Sequence, residues 1–377
     1  MDGKTGAKTA GSAKLKPAGD SIPPCWICLE SEEIFMTDFD GIMTKITSGL
    51  TGSNREDMAY LKERAEAYKE HPLASEIIRA CWRLMYEMLP DDKKEEFAKA
   101  IGNDSAGIMS VLDEIRYTAY KNDFGKALSL MESLVKKLDE MNAYADDAVS
   151  EYHTFSEPFE EMLYRHRSHP AKALRKALLP YSDIYALHGN ILFELKRYDE
   201  ARRALKKAIR WNPVSAPIAF EHAETYKMTG DMDTYLSLTK DVMGLVFRPK
   251  DLARCYRNLG YCFVEKQLFD VAVSCLLLSL QYDKDSPVAQ SELYYIQSKV
   301  GGEPILPSDK QLDEYAVQYE FPLGASQDVL SLAYAYGKHF LDDKAYDGAR
   351  YFLDIVYGLT SDEDVRELLN QIPEKNE

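Results

Sequence analysis

No apolar run in this chain is long enough to cross a bilayer. The best candidate, Val271 to Leu280, is interrupted by Ser274, and a spanning helix needs about 20 such residues. No membrane partner is therefore expected. Cysteine is scarce, six in 377 residues, too few for the dense disulfide framework of a small secreted domain, so the thiols read as reduced. Cations are outnumbered: 46 Lys and Arg face 62 Asp and Glu, for a net charge of -16. A chain so acidic is repelled by phosphate backbones, which disfavours a nucleic-acid partner. Catalytic signatures are missing as well. There is no Gly-rich phosphate loop, no nucleophile elbow, no His-Glu-x-x-His and no supported pair of carboxylates. The reading is of a non-enzyme that needs no cofactor. Behind Lys4, Lys8, Lys14 and Lys16 there is no apolar stretch of the kind a secretory signal requires. A disordered tail and a cytoplasmic protein are expected.

What is present is the balance of a folded chain: 45% hydrophobic and 29% charged residues, with a mean hydropathy of -0.38. One spacing recurs three times. A Gly is followed nine residues later by an aromatic, then Asp, a free slot and Ala, in Gly189-Tyr198-Asp199-Ala201, Gly260-Phe269-Asp270-Ala272 and Gly337-Tyr346-Asp347-Ala349. A Gly inside a helix costs about 1 kcal/mol against Ala, so three at matched positions need an offsetting close approach of a second helix. The Ala of each set is expected to face the Gly, the aromatic to close the turn, and the Asp to sit at the positive end of the second helix.

Around these anchors, Tyr185-x2-His188-Gly189-x2-Leu192, Ala201-x3-Leu205, Ala208 and Pro213 resemble the tetratricopeptide repeat signature. The resemblance implies an all-α solenoid of helical hairpins whose concave groove holds another polypeptide; the helical period over Asn54 to Ile101 adds an N-terminal helical region before it, and Val365 to Ile372 reads as a C-terminal capping helix.

The organisation expected along the chain is a tail over 1–22, an N-terminal helical region over 23–104, degenerate helical pairs over 105–181, a repeat core over 182–287, and C-terminal hairpins with a cap over 288–377. Within this scheme Cys25 to Leu50 shows no clean period and reads as weakly ordered. Pro90-Asp91-Asp92 reads as a helix start. Phe124-Gly125-Lys126-Ala127 reproduces the repeat spacing with Ile115 in the Gly slot. Tyr144 to His169 and Ala171 to Leu179 read as a further helix pair. In the unit after Ala216, Tyr235 stands where the small Ala belongs, so its second helix is expected to stand further off. Gly189 and Gly260 are 71 residues apart, two repeats plus three, which predicts a small insertion near Arg248 to Asp251.

The family binds ligands on the inner face of each first helix. The matching positions here are Asn190 and Phe193; Phe220, Glu224 and Lys227; Arg254, Arg257 and Tyr261; and Tyr334 and Lys338. Four of these are cations with aromatics interleaved, which suits an acidic peptide carrying a hydrophobic anchor. Chaperone-binding relatives grip a dicarboxylate with Lys and Asn, and of that clamp only Asn190 is present. A second architecture of similar layout is that of the bacterial peptide-pheromone receptors. Cys25 and Cys28 are a paired-thiol motif, but neither a βαβ setting nor two further zinc ligands accompany them, so a redox or metal role ranks third. His166 and His169 read as cations at a helix C-terminus. His188 and His222, one repeat apart, read as buried histidines that satisfy core hydrogen bonds.

Overall fold

The computed structural model describes residues 32–90, 105–141, 144–302 and 306–373. Its elements, in chain order, are α1 (Glu32–Ser48), α2 (Asn54–Ala67), α3 (Ala74–Glu87), α4 (Ser105–Tyr120), α5 (Phe124–Met141), β1 (Ser150–His153), α6 (Pro158–Ser168) and β2 (Ala173–Lys176). The chain continues through α7 (Tyr181–Glu194), α8 (Tyr198–Trp211), α9 (Ala216–Lys227), α10 (Met232–Met243), α11 (Pro249–Glu265) and α12 (Phe269–Tyr282). It closes with α13 (Pro287–Val300), α14 (Asp309–Gln318), α15 (Gln327–Asp342), α16 (Tyr346–Thr360) and α17 (Glu363–Asn370). The described residues are helical almost throughout, an all-α fold of successive helical hairpins with one minimal two-stranded sheet. Two compact units divide it: one holds the described parts of Pro24–Glu157 and Tyr164–Pro213, the other those of Pro158–Leu163 and Val214–Glu377.

Five hairpins share one turn. The residue two places before the second helix is left-handed in each: Asn122 (φ 60°), Lys196 (61°), Gly230 (78°), Gln267 (59°) and Lys344 (60°). The N–H that follows reaches back to a carbonyl five residues earlier, Asp123 to Thr118, Arg197 to Leu192, Asp231 to Tyr226, Leu268 to Phe263 and Ala345 to Phe340, at 2.8–3.1 Å. This bond satisfies a carbonyl that the ending helix leaves open. Phe124, Tyr198, Met232, Phe269 and Tyr346 then each begin the second helix. The pair α4–α5 is thus a repeat hairpin in backbone detail, although Ile115 fills its Gly slot.

The close approach at the glycines is real, but its partner differs from the expected Ala. A Cβ on Gly189 would lie 2.5 Å from Leu205 Cγ, one on Gly260 2.9 Å from Leu276, and one on Gly337 2.8 Å from Leu353. Each Leu stands sixteen residues after its Gly, one helical turn beyond Ala201, Ala272 and Ala349, which are themselves fully buried. A helical side chain leans toward the N-terminus of its helix, so the Leu one turn on covers the spot that the Ala backbone faces. The extra residues before Gly260 form helix. Pro249 opens α11 eleven residues before its Gly, whereas Tyr181 opens α7 eight before Gly189.

Two expectations fail. Residues 32–48 form a helix instead of a weakly ordered segment, and Phe39, Ile42, Met43 and Ile46 pack it against Leu61, Ile77 and Cys81. The Gly-rich link after it is held by the Asp57 carboxylate, which accepts from Thr51 N (2.7 Å) and Gly52 N (2.9 Å); these bonds draw its pKa down. The helix pair expected over Tyr144–His169 and Ala171–Leu179 contains two parallel strands joined by α6, with Ser150 opposite Ala173 and His153 opposite Lys176. Asp147 accepts from Val149 N and Ser150 N, and Asp146 from Tyr152 N. Such local side-chain bonds compete with the helical ladder and win here. The helix start expected at Pro90-Asp91-Asp92 lies outside the described residues. At the other end Val365 is buried while Arg366, Glu367 and Asn370 are exposed on α17, the polar face of a capping helix.

Candidate functional site

The second unit brings several of the predicted residues together on α9, α10 and α11. Phe220 is 1% exposed, so it is a floor and not a contact surface. Arg254 covers it, with Cζ 4.5 Å from the ring centroid. The Arg254 guanidinium also pairs with Glu221 at 3.1 Å and Glu224 at 3.9 Å. Glu224 in turn meets Lys227 at 3.4 Å and accepts from the Tyr235 hydroxyl at 3.1 Å. Lys227 lies 4.2 Å from the centroid of the half-buried Tyr261 ring. Burial first, then Glu265 and Glu292, raise the Tyr261 pKa, and burial together with Glu265 raises that of Glu292 against the opposing pull of Lys227. The strip is therefore a row of rings with cations on their faces, those cations being matched by carboxylates of the same surface.

Arg257 does not join this strip. Its guanidinium donates to Ser279 Oγ (3.3 Å) and Asp283 Oδ2 (3.0 Å) on the C-terminal end of α12, so it ties the two helices of one hairpin together. Tyr334 is half-buried on α15 and Lys338 is exposed beside it; no ion pair to Lys338 is formed among the described residues. Asn190 is exposed and Phe193 half-buried against Tyr198, 5.3 Å between centroids; both belong to the first unit.

Sequence reasoning missed Glu221 and Asp233 as partners. Arg254 pairs with Glu221 and Lys266 with Asp233, each 33 residues back. Opposite charges 33 residues apart were the available signal, on successive first helices for Glu221 and Arg254, and on a second helix and the end of the next first helix for Asp233 and Lys266. Tyr235, fully buried beside Ala223 and Cys262, fills the space left where the Ala is missing and keeps the hairpin packed.

Cys81, Cys255, Cys262 and Cys275 are buried and free, and burial pushes the Cys262 thiol up to about 12. Cys25 and Cys28 lie outside the described residues. No group of three or more metal-ligating side chains occurs among the described residues. His166 and His169 are neighbours with centroids 6.4 Å apart at the end of α6. His188 lines a cavity of about 420 Å³ with Glu132, Lys136, Asp139 and Glu140. Asp139 accepts from Tyr185 (2.6 Å) and Lys207 (2.7 Å). Burial of its carboxyl opposes ionisation, and these two bonds outweigh it and hold the pKa below the usual range.

Burial first, then the charges of Lys207 and Arg197, lower the His188 pKa from 6.5 to about 4. The unfolded chain therefore takes up a proton at this site at higher pH than the folded chain does. Stability is expected to fall as pH drops from 6.5 to 4, by on the order of 1–3 kcal/mol from this group. Urea midpoints across that window check it: His188→Gln should flatten the slope, and an unchanged slope would refute the assignment.

No helix among the described residues is long and apolar enough to cross a membrane. Residues 182–215, spanning nearly all of α7 and all of α8, match the tetratricopeptide repeat family model. No curated protein sequence matches the chain. Among solved structures the chain is similar to one titled "Crystal structure of APC/C hetero-tetramer Cut9-Hcn1", with 13% identity, 90% of this chain and 75% of that chain covered, and a TM-score of 0.31.

Proposed function

We propose that this chain, a tetratricopeptide-repeat protein, is a non-catalytic adaptor that holds a peptide segment of a partner protein against the strip of Arg254, Lys227 and Tyr261. The observation that carries the reading is the half-buried Tyr261 ring roofed by Lys227, next to the Arg254 guanidinium over Phe220. A large apolar ring edged by polar groups is the kind of anchor that dominates interface energetics. An acidic side chain on the ligand competes with Glu221 for the Arg254 fork, exchanging one charged hydrogen bond for another. Because the cations are already matched, charge contributes selectivity and encounter rate, while a hydrophobic anchor on the ligand supplies the affinity.

The test is peptide selection by display on the full chain, followed by calorimetry with the selected peptide. Tyr261→Ser is expected to weaken binding by about tenfold or more, and Arg254→Gln by a smaller factor that shrinks as salt is raised. Arg203→Glu on α8, 71% exposed at its side chain, serves as the control. A selected peptide that is basic, or equal losses in Tyr261→Ser and the control, would refute the proposal.

A further inference from the structure

The two edges of the small sheet are treated differently. On the outer edge of β1 the backbone groups are closed off one by one. Ser150 O accepts from Asp147 N, and Ser150 N donates to Asp147 Oδ1. Tyr152 N donates to Asp146, Tyr152 O accepts from Arg210 at 2.8 Å, and Thr154 N donates to Trp211 O at 3.0 Å. On β2 the ladder is used from one side. Ala173 N donates to Val149 O and Ala177 N to His153 O, so Ala173, Arg175 and Ala177 turn their N–H and C=O groups toward β1. The alternate residues, Leu174 and Lys176, turn theirs to the other edge, where no hydrogen bond to them is formed among the described residues. An open strand edge is a template for another strand.

The sequence stretch that carries this edge is basic, opposite in sign to the chain as a whole. Between Glu161 and Asp183 there is no acidic residue, whereas Arg165, Arg167, Lys172, Arg175 and Lys176 all fall there, in a protein of net charge -16. Arg175 donates to Ser150 Oγ at 2.7 Å and Lys172 to Asp147 O at 2.6 Å. The carboxylates nearby have bonds on the β1 side: Asp146 with Arg210 at 2.6 Å, Asp147 with Val149 N and Ser150 N, and Glu151 with the Tyr164 hydroxyl at 3.1 Å. Lys176 is exposed, and Leu178 beyond it is 73% exposed.

We propose that β2 is a docking edge for an extended acidic segment of a partner protein, which adds to the sheet as a third strand. Main-chain bonds to Leu174 and Lys176 supply the pairing, and the basic stretch selects acidic side chains. This site is separate from the Tyr261 strip and does not depend on it.

A labelled peptide, Glu-Val-Glu-Val-Glu-Val-Glu, is the probe, with its all-Lys counterpart as the control. The peptide is titrated into the full chain by fluorescence anisotropy, and amide exchange at Leu174 and Lys176 is followed by NMR. The acidic peptide is expected to bind, to weaken with salt, and to protect both amides; the basic one is expected not to bind. Lys176→Pro removes one outward N–H without touching the bonds to β1, a change that edge strands tolerate. It should bind about tenfold more weakly than Lys176→Gln, which removes the charge alone. Tyr261→Ser should bind the peptide as the parent does. Equal affinity of the two Lys176 variants, equal binding of the basic peptide, or unprotected amides in the parent protein would each overturn the proposal, the last irrespective of whether the Pro variant folds.

Discussion

Gly189→Leu is expected to lower the unfolding free energy by about 3 kcal/mol or more, at the upper end of what overpacking costs. The Cβ alone would stand 2.5 Å from Leu205 Cγ, and Leu205 is fully buried, so it has no open space to enter. Gly189→Ala should cost less, about 1–2 kcal/mol, because the gain in helix propensity partly offsets the clash. Combining Gly189→Ala with Leu205→Ala should cost less than the sum of the two, with a coupling of about 0.5–3 kcal/mol. Gly125 provides the opposite sign. A Cβ there meets nothing within 4 Å, and Gly125→Ala in the first turn of α5 should be neutral or stabilise by up to about 1 kcal/mol. Urea denaturation of the five variants, Leu205→Ala alone included, checks these values. An unchanged midpoint for Gly189→Leu would mean that α7 and α8 do not meet at this residue.

Tyr235→Ala should be comparably damaging, at about 3–5 kcal/mol, although it restores the residue that the repeat pattern calls for. Tyr235 is fully buried with Ala223 and Cys262, and its removal leaves a cavity the size of an aromatic side chain. Its hydroxyl bonds Glu224 at 3.1 Å, so Tyr235→Phe isolates the polar part, about 1 kcal/mol. Thermal and urea unfolding of the two variants distinguish the contributions. If Tyr235→Ala proved neutral or stabilising, the helix pair α9–α10 would be able to close to the spacing of its neighbours, and the Tyr would not be filling a gap.

The candidate strip was legible in part. The register placed Arg254, Lys227 and Tyr261 on successive first helices, and the structure brings them within one network with Glu224. It did not reveal that Phe220 lies beneath Arg254, since a helix position facing the groove can still be covered by a long side chain from the next helix. Nor did it reveal that Arg257 turns to Asp283. Arg has enough reach to choose between ligand and neighbour, and that choice depends on where the end of α12 lies.

The hairpins themselves were determined by the sequence, because they are built from contacts among residues close in the chain: a left-handed turn residue in all five, an aromatic at the start of the second helix in four, and in three a Gly that lets a nearby Leu close in. The same turn in α4–α5 and α9–α10 survives the loss of the Gly, since the turn bonds are made by backbone. Tertiary structure alone decided the rest. Ala173-Leu174-Arg175-Lys176 has ordinary helix formers and becomes a strand because β1, twenty-three residues earlier in register, offers it a ladder. Helix α1 forms despite Gly41 because Phe39, Ile42, Met43 and Ile46 find the core of α2 and α3. In both places the deciding partner is distant in sequence, and its burial and hydrogen bonds outweigh the few tenths of a kcal/mol per residue that local propensity provides.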